Sequence, residues 1–280
     1  MTAPAAETEL PMPQKSAGRK GRRALANLGL SVVTFVVFVG LWEWIVRGLE
    51  IPEIVLPPPS KIAVALYLST MAGEMWTHFV VTIFEVLAGF AIGASGGLLL
   101  GFAIALSPLA EKIFYPYVIA FQTVPKVALA PIIVIWFGYG LTSKVIITAT
   151  IAFFPVLANA IQGLRAAPAD QIEMLQSYTA TRWQVFRMIR LKQALPYIFV
   201  GLDIAIVLAV IGAIVGEFVG AKAGLGFLIL QKNFNFDMPG TFAVLIVLSL
   251  IGVVLHWVIS VVQRRVVFWM DLSGHRNTGA

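Results

Sequence analysis

The chain has no cysteine among its 280 residues, which excludes disulfides, cysteine-ligated iron–sulfur centres and thiol catalysis while choosing no compartment. Charge is scarce as well. Asp, Glu, Lys and Arg make up 12% of the sequence against 59% hydrophobic residues, and the mean hydropathy is +0.89. Too little polar surface remains to coat a soluble globule. No Gly-x4-Gly-Lys-Ser/Thr phosphate loop occurs, and "GRKGRR" lacks both the spacing and the hydroxyl needed to hold phosphate and Mg²⁺, so the chain has no ATPase chemistry of its own. Haem is disfavoured too: His78 opens its apolar segment on one side, whereas His256 sits in the other half of the last one, and axial ligands must match in depth.

What is present is apolar sequence in membrane-length pieces. A hydrocarbon core of about 30 Å needs roughly 20 helical residues. The windows Ala24–Trp42, Val86–Ala110, Val145–Leu164 and Met238–Gln263 meet that length. Two further stretches, Ile113–Ser143 and Tyr197–Gly216, each contain one ionisable interruption, Lys126 and Asp203. The reading is an all-α integral membrane protein with six transmembrane helices in a single domain, residues 24–269. It is flanked by a disordered basic tail at 1–23 and a short tail at 270–280. The first span is long for a signal peptide and no small-x-small site follows it. With a cytoplasmic N-terminus, the cluster Lys15, Arg19, Lys20, Arg22, Arg23, the segment after Leu164 and the pair Arg264–Arg265 fall on one side. Only Arg47, Lys61, Lys144, Lys222 and Lys232 fall opposite, which predicts both termini in the cytoplasm. The basic balance therefore reflects topology, not nucleic-acid binding. "LPPPSKIAVALYLSTM" predicts an extended proline run followed by a short amphipathic helix on the outer surface.

The polar segment 165–196 contains "DQIEMLQSYTATRWQVFRMIRLKQALP". Asp170 with Glu173, and Thr181 with Gln184, have capping-box spacing, so two short helices joined at 177–181 are expected. Trp183, Phe186 and Ile189 recur every three residues among Arg182, Arg187 and Arg190. A helix lying on lipid headgroups would show the same pattern.

The segment also resembles the cytoplasmic motif of bacterial ABC importer permeases: Glu-Ala-Ala, three residues, Gly, nine residues, Ile-x-Leu-Pro. Glu173, Ile189 and Leu191 match. Met174 and Leu175 replace the two Ala, Thr179 the Gly, and Lys192 the Pro. "TVPKVALAPIIVIWFGYGLTSK", "FFPVLANAIQGLR" and "VGEFVGAKAGLGFLI" extend the likeness to the nitrate/sulfonate/taurine branch over roughly residues 56–269. The resemblance implies a type I ABC importer permease fold in a bacterial plasma (inner) membrane. It further implies a homodimer within membrane lipid, two ATP-binding subunits carrying ATP and Mg²⁺, an extracytoplasmic solute-binding protein and a small-molecule substrate. No cofactor is expected on this chain. The cargo class it suggests is a small anion such as nitrate, a sulfonate or taurine, with a pyrimidine vitamin precursor as the alternative. Glu173, Gln176, Ser177, Tyr178, Thr179, Ala180, Thr181 and Trp183 are the expected ATPase-coupling residues, with Trp183 and Phe186 packing on the chain's own span ends or anchoring at the interface. A proton-coupled carrier is the competing function; its signature, a repeated half, is not found.

Pro125 falls about 18 Å into its span, near the bilayer midplane, and Pro131 follows, which predicts a broken helix with Lys126 in the break. Buried charge at that depth faces a cavity or a partner. Lys126 therefore either borders the translocation path, with Pro125 and Glu217, or pairs with Glu85, Asp203 or Glu217. Glu217 also admits a purely structural role in fixing the outer loop. Gly89, Gly93, Gly97 and Gly101 form a four-residue stripe for close helix packing, within the subunit or at a dimer seam.

Overall fold

A computed structural model describes residues 17–269. The expected tails lie largely outside them. Within the described residues, Ala17–Arg23 already belong to the first helix, so the N-terminal tail boundary expected at residue 23 is not a helix boundary.

Every regular element is helical among the described residues. The chain divides into two units, Met1–Ser60 and Lys61–Ala280. The first contains α1 (Ala17–Gly48) and the start of α2 (Pro59–Met71). Glu43 accepts both from the Ser60 backbone amide at 3.0 Å and from its hydroxyl at 2.8 Å, which satisfies an orphan N–H at the first turn of α2. The α2 helix forms where the sequence predicts, although without the one-sided apolar face expected for it.

The second unit is built around α3 (Glu74–Ala105), α6 (Leu141–Arg165), α9 (Leu191–Gly220) and α11 (Met238–Val266). Between them lie α4 (Pro108–Thr123), α5 (Ala130–Phe137), α7 (Ala169–Ser177), α8 (Arg182–Val185) and α10 (Leu225–Phe234). Among the described residues, five helical stretches are long and apolar enough to cross a membrane: Gly29–Gly48, α3, α6, the continuous helix Arg182–Gly220, and α11. The pair Leu109–Thr123 and Lys126–Phe137 passes the same test together but turns by 82° at its break, and it makes a sixth span if its two halves are one.

The span expected at Val86–Ala110 is longer and shifted, because α3 starts at Glu74 and absorbs Glu85, whose charge is paired inside the bundle. It stops where Ser107 caps α4, accepting from the Ala110 amide at 3.3 Å with Pro108 at the first helical position.

The glycine stripe settles between α3 and α6. A Cβ on Gly97 would lie 2.7 Å from the Phe153 carbonyl oxygen, and one on Gly101 would lie 2.8 Å from the Ala160 Cβ. Gly212 on α9 approaches α6 in the same way, its Cβ position 2.9 Å from the Thr148 Cα. Where lipid tails are as apolar as leucine, close backbone approach replaces the hydrophobic effect as the source of helix adhesion. The seam is intrasubunit, and it leaves Val86, Ala152, Val156, Ala205, Ala209 and Val244 fully or almost fully buried at the centre.

Candidate functional site

Two regions carry the expected functional residues: the polar turn 177–181 and the helix break at Pro125–Lys126.

The α7 helix starts at Ala169 with Pro168 as its N-cap, and no side chain caps it. The capping box expected from Asp170 and Glu173 is therefore absent. The helix begins before Asp170, which leaves Asp170 in the first turn, where it favours the helix dipole without acting as a cap. The other box is present: Gln184 N donates to Thr181 Oγ1 at 3.3 Å, and Thr181 N donates to Gln184 Oε1 at 2.7 Å.

Between the two helices the backbone closes as a Schellman motif. Ala180 N donates to the Leu175 carbonyl at 3.1 Å and Thr179 N donates to the Gln176 carbonyl at 2.9 Å, with Thr179 at φ 59°. That left-handed position is the one glycine fills most readily, since it carries no Cβ penalty. Thr179 holds it here, and its hydroxyl donates to the Tyr178 carbonyl at 2.7 Å.

The resulting tip is exposed. Tyr178 is 79% accessible, Glu173, Gln176, Ser177, Thr179 and Thr181 are exposed, and Ala180 is half-buried. The expected second short helix is not separate. The α8 turn runs through a π-helical turn at Phe186–Arg190 straight into α9, so the tip is joined to a span by unbroken helix. Phe186 packs on Phe102 of α3 with ring centroids 6.3 Å apart, as expected for contact with the chain's own span ends. Trp183 instead stacks on Phe186 at 5.5 Å and stays 66% exposed. At the other root of the segment, Arg165 pairs with Glu111 at 2.8 Å and lies 5.1 Å above the Tyr115 ring. Both ends of the tip are thus tied to the bundle.

The break in the bent pair follows from its prolines. Val124, the residue before Pro125, is extended at φ −65° and ψ 129°, as clash with the proline ring demands. A single 3-10 turn, Lys126–Leu129, then leads into α5. Lys126 is half-buried. Its Nζ donates to the Gln122 carbonyl at 2.9 Å and sits 4.9 Å from the centroid of Phe154.

The acids proposed as its partners are engaged elsewhere. Glu85 meets Lys144 at 2.9 Å, and Asp203 meets His256 at 2.5 Å. Glu217, 1% exposed, accepts from the Thr82 hydroxyl at 2.6 Å and from the Gly226 amide. Thr82 in turn accepts from Leu225 N at 2.7 Å, and His78 Nδ1 accepts from Gly224 N at 3.0 Å. Glu217 therefore fastens the start of α10 to α3, and it does not line the cavity beside Lys126.

Lys144, read from sequence as an outer loop cation, is a buried residue in the first turn of α6. Nothing local announces its partner, which lies 59 residues away in the chain.

Residues 97–268 match the family of binding-protein-dependent transport system inner membrane components. The chain is 37% identical over 242 residues to the riboflavin transport system permease protein of Chloroflexus aurantiacus, covering 86% of this chain and 90% of that protein. It is 30% identical over 248 residues to the taurine transport system permease protein of Escherichia coli, covering 86% and 89%. In fold it is similar to a chain of the inward-facing MetNI methionine ABC transporter, with a TM-score of 0.52 at 24% identity over 69% of this chain and 92% of that one.

Helical, multi-pass and built like a type I ABC importer permease, this is a transport protein of the inner membrane. It belongs to the binding-protein-dependent transport system inner membrane component family. Membership implies ATPase partners and a solute-binding protein, and it replaces the proton-coupled carrier as the reading of the intramembrane acids.

Proposed function

We propose that two copies of this chain form the translocation path of an ATP-driven importer, with both termini in the cytoplasm. ATP and Mg²⁺ are held by two separate ATPase subunits. Each ATPase receives the exposed turn of one permease through Glu173, Gln176, Ser177, Tyr178, Thr179, Ala180, Thr181 and Trp183. The observation that carries this reading is the construction of that turn: a Schellman closure on one side, a complete capping box on the other, and unbroken helix from there into a span. A displacement of a few ångströms at the tip is transmitted only through an element this stiff.

Pro125 and Lys126 border the path. The solute is small and bears oxygen acceptors. The likeness to a riboflavin permease favours a heterocyclic vitamin or vitamin precursor, and the likeness to a taurine permease, together with Lys126 having no acidic partner among the described residues, favours the anionic alternative.

The test is Ala180→Asp in the transporter reconstituted with its ATPase. An unpaired charge desolvated at a docking surface costs several kcal/mol. Insertion is expected to remain normal, while ATPase binding weakens and ATP-driven uptake is lost. Full uptake by this variant would return the turn to the role of a membrane-surface helix.

A further inference from the structure

Behind the helix break lies a cavity of about 430 Å³, within the size range of small-molecule sites. Its walls come from four elements: Gln122 on α4, Lys126 in the 3-10 turn, Phe154 and Asn159 on α6, and Ile204 and Leu208 on α9. Three of the lining residues, Gln122, Lys126 and Asn159, are polar. Lys126 spends one proton on the Gln122 carbonyl and otherwise rests over the Phe154 ring, both partners that a solute can displace. Asn159 donates to the Pro155 carbonyl at 2.8 Å, a bond that uses only its amide nitrogen. The carbonyl oxygen of the same side chain accepts from no protein group among the described residues. The remainder of the lining is aliphatic or aromatic, and it contains no carboxylate.

We infer that this cavity is a solute subsite on the translocation path and that it takes a planar heterocycle bearing ring carbonyl oxygens, held against Phe154 with its oxygens toward Lys126 and a ring N–H toward Asn159. The inference rests on the importer reading and decides between the two cargo classes it leaves open. A neutral ring buries its apolar faces against Phe154, Ile204 and Leu208 and needs only a few hydrogen-bonding groups for orientation. A sulfonate must exchange its hydration shell for several donors, and one ammonium with one amide is a poor substitute. An aminosulfonate such as taurine fits less well again, because with its sulfonate toward Lys126 its own ammonium finds no carboxylate to pair with.

The absence of cysteine supplies the experiment. Ala158, half-buried in the same wall, becomes the sole thiol of the chain in Ala158→Cys, and its modification is read by mass in the transporter assembled with its ATPase in nanodiscs without nucleotide. An anionic methanethiosulfonate should react faster than a cationic one, and adding Lys126→Gln should lower that ratio about tenfold. Riboflavin should slow modification, taurine should not, and Phe154→Leu should remove the riboflavin effect. The subsite is overturned if the introduced thiol resists both reagents, if Lys126→Gln leaves the ratio unaltered, or if taurine protects as well as riboflavin does. Wild-type ATP-driven uptake, measured in parallel, tests the importer reading separately, since labelling needs no ATP.

Discussion

Lys144 Nζ and Glu85 Oε1 meet at 2.9 Å with 8% and 0% of their side chains exposed, joining the first turn of α6 to the middle of α3. Lys144 also reaches the Ala223 carbonyl, at 3.5 Å, so one ammonium touches α3 and the loop before α10 from its place on α6. The neighbouring Glu217 and Thr82 complete a polar core inside an apolar bundle.

Removing half of that pair leaves a buried charge without compensation. Lys144→Ala should destabilise the protein by about 3–5 kcal/mol. Glu85→Leu combined with Lys144→Met should recover most of the loss. Thermal unfolding of the purified protein in detergent is the measurement, and a double variant as unstable as the single one would mean that the pair matters for more than its charge balance.

The α3–α6 seam gives a sharper contrast. Gly93 packs directly on the Ala149 backbone, whereas the nearest atom to a Cβ on Gly96 is the Phe153 ring at 3.5 Å. Gly93→Leu should cost at least about 1–3 kcal/mol by overpacking, and Gly96→Ala should be neutral. Unfolding temperatures of the two variants, compared side by side, decide it.

Thr179 is held in a conformation that disfavours a β-branched residue by about 1–2 kcal/mol. Thr179→Gly should relieve that cost and leave ATP-driven uptake intact or improved. Glu173→Ala should have little effect on stability, because the carboxylate is exposed and caps nothing; any fall in ATPase binding then reports a lost contact across the interface.

Topology is open to the same chemistry that the cysteine-free sequence permits. Tyr139 and Tyr178 are 77% and 79% exposed and lie on opposite sides of α6 in sequence. Single cysteines at the two positions should be labelled by an impermeant thiol reagent from opposite faces of the membrane. Labelling from one face would break the six-span arrangement.

The features legible in the sequence were those set by nearest neighbours. Hydropathy located the spans, Pro125 and Pro131 located the break, and Thr181 with Gln184 announced its cap. The left-handed turn at Thr179 was not legible, because a β-branched residue disfavours the conformation that the structure gives it. Most of the misplaced features depended on distant partners. Glu85 cut α3 short on paper because a carboxylate reads as a boundary until its lysine is found. Lys144 passed for a loop residue for the same reason, and nothing in the sequence relates Asp203 to His256. Asp170 had the spacing of a cap but not the position, since Pro168 took it.

The π-helical turn at Phe186–Arg190 has a consequence for phase. It places one residue more than an α-helix would between the tip and the span, and each residue turns the chain by about 100°. Residues either side of the turn that share a stripe on a drawn helical wheel consequently point in different directions in the molecule. Deleting one residue there would let the stretch close as ordinary α-helix with both ends facing as they do now. Deleting one from the α-helix beyond it would instead rotate the tip by about 100° against the span, so that the tip met its partner with the wrong side. Register here is a mechanical quantity, set by a count of residues and independent of which side chains are present.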